Sequence, residues 1–144
     1  MRKIIITFAL ASLLITSVAC TQTLKSLNDS KKLELNKKEF IGKRLSFLLE
    51  RIDLPIKSVI PVPNNNLKQI NRLSILFVDQ ETYKNAKGEL PEKPTRIAVK
   101  FNQNWDLLGE RCAYDKPDCT KWTKEDEKNL GDLVVHDIYV VGKD

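Results

Sequence analysis

His136 is the one histidine in the chain, so any imidazole base, acid or metal ligand has to be this residue. An imidazole titrating near neutrality suits proton transfer, but covalent catalysis also needs a serine or thiol for it to activate. Neither stands near His136 in sequence, which leaves it as a surface or core-edge residue of a strand. The 19 Asp and Glu are scattered along the chain, and a glycosidase-type carboxylate pair would have to be assembled by the fold. Gly-x-Ser-x-Gly, a phosphate-cradling glycine loop, His-Glu-x-x-His and an EF-hand loop do not occur. The densest group of recognition side chains is Trp105, Tyr114 and Trp122, set around Cys112 and Cys119. Rings so placed either fill core and loop space or, where partly exposed, anchor a protein or glycan partner. The expectation is a non-enzymatic chain with no catalytic residue, no cofactor and no metal.

Cys20 stands apart from the other two cysteines. It follows Met1-Arg2-Lys3, the twelve-residue apolar run Ile4 to Ile15, and Thr16-Ser17-Val18-Ala19. A basic start, a short apolar run and small residues at the cut make an export signal. The run is well short of the roughly 20 residues a helix needs to span a bilayer. Ser17-Val18-Ala19-Cys20 resembles the lipobox of bacterial lipoproteins, with Ser17 where leucine is usual. The resemblance implies cleavage before Cys20 and acylation of that residue, which anchors a chain without a transmembrane helix. Ser17 and Ala19 also satisfy the small-x-small rule for ordinary signal cleavage at the same bond. Acylation of Cys20 leaves an even pair, Cys112 and Cys119, expected to close as a disulfide in an oxidising periplasm. A loop of that size is worth about 2–3 kcal/mol. Zinc would find an incomplete ligand set in a chain with one histidine, and a redox pair normally has Cys-x-x-Cys spacing. Thr21, rather than Asp, after the cysteine implies by the same likeness an outer membrane facing the periplasm.

Charge divides the chain unevenly. The whole sequence carries +5 at pH 7; without Arg2 and Lys3 the balance is 22 basic against 19 acidic side chains, or +3. Residues 20–44 hold seven Lys and Arg against Asp29, Glu34 and Glu39, a local +4, so the remainder is slightly acidic. Nucleic-acid binding is not expected of an exported chain without aromatic-basic interleaving. Residues 1–19 read as the removed signal, 20–38 as a flexible basic tether beside anionic head groups, and 39–144 as a single domain.

Within that domain, Ile41, Leu45, Leu48 and Ile52 follow a helical i, i+4, i+7, i+11 spacing, with Gly42 at the entry and Pro55 forbidding continuation. The sequence Phe40-x-Gly-Lys-x-Leu-x-x-Leu-Leu49, leading through Leu54-Pro55 into an extended segment, is similar to openings of small lipoproteins of Bacteroidetes type. It bears a slighter likeness to the helix-to-strand step of PASTA modules, whose defining repeats are absent. Ile56 to Val62, broken by Pro61, predicts an edge strand, and Asn64-Asn65-Asn66 a turn. Arg72 to Asp79 is apolar on both faces and predicts a central strand. Gln80 to Pro94 reads as a polar loop. Thr95 to Phe101 alternates cleanly and predicts a strand with one wet face. A turn at Asn102-Gln103-Asn104 is expected next, with Trp105 and Leu107-Leu108 at the sheet edge. Thr123 with Asp126 and a first turn rich in acid marks a helix start, running to about Asp132. Val134 to Val141 closes the sheet.

These elements predict an α+β fold: a mainly antiparallel sheet of about four strands with two helices on one face. The functional expectation is a lipid-anchored envelope domain that binds a protein, with an immunity or inhibitor lipoprotein as the second reading and a small hydrolase as the third.

Overall fold

The doubly apolar residues around Leu73 and the alternating ones around Val99 meet as neighbouring central strands. The computed structural model describes residues 23–63, 69–106 and 120–143. In it β1 (Ser58–Pro63), β2 (Gln69–Leu76), β3 (Arg96–Asp106) and β4 (Val135–Val141) form one sheet in the order β1-β2-β3-β4. Every pairing is antiparallel. Short helices α1 (Ser30–Leu35), α2 (Leu45–Leu49), α3 (Gln80–Asn85) and α4 (Lys124–Leu130) complete an α+β fold. None of the described helices is long and apolar enough to cross a membrane.

Side chains directly opposite in an antiparallel pair share a face. The register therefore puts Val59, Leu73, Ile75, Ile97, Val99 and Ile138 together. All six are buried in one core with Leu24, Leu33, Phe40, Leu45, Leu48 and Leu130. Each such side chain contributes roughly 1.5–3 kcal/mol by leaving water. On the opposite face the register aligns Val62, Arg72, Lys100 and Asp137 in one row, and Ile60, Ser74, Ala98 and Tyr139 in the next. This is the wet face expected of β3, though Ser74 and Ala98 are buried.

Four segments differ from the expectation. The flexible tether of residues 20–38 is, from Leu24 onward, part of the packed body: Leu24 and Leu33 belong to the core. Sparse leucines sufficed because they meet the sheet at separate points instead of lining one long helix. The helix expected over Phe40–Ile52 is confined to α2. Gly42 takes φ +78, and the next residues run along β4, with Gly42 N donating to Val135 O and Val135 N to Lys43 O, both at 2.8 Å. The stretch Gln80–Pro94 contains α3, capped by Asp79, whose side chain accepts from Thr82 N at 2.8 Å. That bond and a second from Thr82 Oγ1, also at 2.8 Å, hold the Asp79 carboxyl below its usual range. The turn at Asn102–Asn104 does not form: β3 continues to Asp106, and Ile70 pairs with Trp105. The polar side chains serve the strand instead. Gln103 Oε1 accepts from Val134 N at 2.9 Å, and Asn102 N donates to Val134 O at 3.0 Å.

Candidate functional site

Pro55 bars a helix from Leu54 onward, and the chain from Ile52 to Ile56 crosses from α2 to β1 as neither helix nor strand. Ile52, Leu54 and Ile56 are each half-buried and packed against the core. With Leu49, Trp122 and Glu127 they line an open cleft of about 170 Å³. Both segments that line it are fixed by hydrogen bonds. Arg51 O accepts from Leu24 N at 2.6 Å, and Leu24 O accepts from Asp53 N at 3.0 Å. Lys121 bridges to Ser58 of β1, while Thr120 Oγ1 donates to Gln80 Oε1 at 3.1 Å in a buried bond. Immediately after Trp122, Thr123 Oγ1 accepts from Asp126 N at 3.1 Å and Asp126 Oδ2 accepts from Thr123 N at 3.0 Å. The indole thus sits on a segment tied at both ends.

The cleft is smaller than the 300–1,000 Å³ typical of pockets for drug-sized ligands. It is the size for one or two apolar side chains. Its carboxylate, Glu127, is exposed on the first turns of α4. The chemistry on offer is burial of an apolar anchor beside an acceptor for a cation.

A second cluster lies on the wet face of the sheet. Lys37 Nζ meets Asp137 Oδ1 at 2.8 Å and sits 5.1 Å from the centre of the Tyr139 ring. Hydrogen bonding from Lys37, then from Tyr139, brings the Asp137 carboxyl down to about 2. The same contacts raise Lys37 and Tyr139. These shifts strengthen the charged state of an ion pair and leave no group poised to exchange a proton near neutrality.

His136 is exposed at the sheet edge, its Nδ1 2.9 Å from Asn102 Oδ1. No group of three His, Cys, Asp or Glu converges as a metal set among the described residues. Of the residues singled out in the sequence, Trp122 reaches the cleft. Trp105 is placed in β3, opposite Ile70. Cys20, Cys112, Tyr114 and Cys119 lie outside the described residues. Sequence reasoning missed Leu49, Ile52, Leu54, Ile56 and Glu127 as cleft walls, since their spacing reads as ordinary helix and strand. It also missed Lys37 with Asp137, one hundred positions apart, for which no local signal exists.

Comparison with known proteins finds no family model, no curated protein and no solved structure that matches this chain.

Proposed function

We propose that this chain is a lipid-anchored cell-envelope domain that works by binding a protein partner rather than by catalysis. The anchoring half rests on Cys20 and the residues before it, with their resemblance to a lipobox. The binding half rests on one observation, the open cleft walled by Leu49, Ile52, Leu54, Ile56 and Trp122 with Glu127 at its side. A cavity of this size and lining suits a single anchor residue of a partner, the kind of contact in which a few side chains carry most of the affinity. Glu127 adds charge selection, favouring a partner that places Lys or Arg beside its apolar anchor.

The test is photo-crosslinking in cells from a benzophenone residue substituted for Leu54, with mass spectrometry of the adduct and of the mature N-terminus. One dominant adduct, lost in Glu127→Lys and strongly reduced in Trp122→Ala, is the expected result. Adduct formation indifferent to both substitutions would overturn the binding reading. A mature chain starting at an unacylated Cys20 would overturn the anchoring reading and leave the binding one standing.

A further inference from the structure

The N-terminal arm, residues 24–40, shows two contrasting sides. Ser30, Leu33 and Phe40 are buried against the body. Lys31, Leu35 and Lys38, spaced i, i+4, i+7, are all exposed, and Leu35 is the most exposed large apolar residue described, at 82%. Single exposed leucines are common on protein surfaces. Two further facts set this one apart. It is flanked along the arm by two exposed lysines, Lys31 and Lys38, and the arm leaves very little slack to the residue proposed to carry lipid. Leu24 is fixed to Arg51 and Asp53 by two backbone bonds, so four residue steps separate Cys20 from the packed body. Four steps of extended chain span at most about 14 Å.

We infer that the stripe Lys31–Leu35–Lys38 is a bilayer-contact surface that seats Leu35 at the head-group boundary of anionic lipid. The inference rests on the anchoring reading above. A short leash brings the arm to the membrane surface, where Lys31 and Lys38 meet anionic head groups and Leu35 reaches the acyl boundary. Long lysine stems let the ammonium groups stay at head-group level while the leucine between them goes deeper. The domain is therefore held against the bilayer in one orientation instead of being suspended clear of it.

The test uses the full chain carrying Leu35→Trp, reconstituted in vesicles of phosphatidylglycerol and phosphatidylethanolamine or of phosphatidylcholine alone. Lipids brominated at shallow acyl positions should quench the introduced indole, measured against the native chain, at least twofold more in the anionic vesicles. In a full chain carrying Cys20→Ser, flotation with the anionic vesicles should fall about 25-fold on adding Lys31→Gln and Lys38→Gln, at roughly fivefold per lysine. Absence of quenching in a chain whose Cys20 is acylated overturns the contact surface and leaves the anchor intact. An unacylated Cys20 with quenching retained overturns the anchor and supports the surface. Concentration-dependent shielding of the indole without lipid would assign the stripe to a second copy of the chain, which also overturns the inference.

Discussion

The N-terminal arm and α4 open with the same local device and are held in place by different forces. At the start of the arm, Ser26 N and Ser26 Oγ both donate to Asp29 Oδ2, at 3.2 and 2.8 Å. At the start of α4, Thr123 N and Oγ1 donate to Asp126 Oδ2, at 3.0 and 2.8 Å. Beyond that point they part. The arm breaks into a 3-10 turn, α1 and a second 3-10 turn, and sends Leu24, Leu33 and Phe40 into the core. The helix α4 is one unbroken unit and buries a single apolar side chain, Leu130. Burial reached from far along the chain holds the arm, whereas α4 relies on its cap, the helix dipole, one core anchor in Leu130 and the backbone bond from Ser46 N to Gly131 O just beyond it. A capping signal thus marks where a helical segment begins without saying how firmly the rest of the protein owns it.

The largest test of this contrast is Leu33→Ala. If the arm belongs to the core, urea unfolding should show a loss of about 2–5 kcal/mol. A loss within about 0.5 kcal/mol, the range of ordinary surface substitutions, would return the arm to the status of a tether. Thr123→Ala should cost about 1 kcal/mol by the same measurement, since it removes the acceptor for Asp126 N. A cost as large as that of Leu33→Ala would erase the distinction.

The smallest effect sharpens the comparison electrostatically, through the pair Lys37–Asp137 that links the arm to β4. The folded pKa of Asp137 lies below its ordinary value, near 2 against 3.8. Its contribution is therefore fully present above about pH 4 and lost as pH falls toward 2. Stability measured between pH 5 and 2 should decline less in Asp137→Asn than in the native chain, and the difference should shrink in 1 M salt because the pair is partly exposed. Parallel pH profiles would mean that the pair contributes nothing to docking the arm.

What could be read in the sequence follows the same division between local and distant causes. The strand around Val99 was legible because two-residue periodicity reports burial directly, and the one around Leu73 because a short run apolar on both faces marks a central strand. Thr123 with Asp126 was legible because a cap is a contact between near neighbours. Ser26 with Asp29 carries a similar signal, but the lysines around it suggested a solvated tether. Gln80 and Tyr83 of α3 are buried, a fact the polar run Gln80–Pro94 conceals, although Asp79 and Thr82 mark its cap. Ile41 fitted the helical stripe yet is 41% exposed, because Gly42 turns the chain before α2 begins. The cleft could not be read at all, for Trp122 meets Leu54 and Ile56 only after β1 and Lys121 have come together.

The sheet order β1-β2-β3-β4 joins strands that are consecutive along the chain, whereas Lys37 and Asp137 are separated by one hundred positions. A ribosome adding about 5–20 residues per second makes Leu33 and Phe40 several seconds before the strand β4 that completes their setting. During that interval the arm has leucines and a phenylalanine to hide and no finished sheet to hide them on. Because non-local contacts repay their loop-closure cost last, the β1-β2-β3 meander is expected to assemble first and the arm to dock last. Chains truncated before Val135 should therefore bind holdase chaperones through the arm, whereas the folded full-length chain should not.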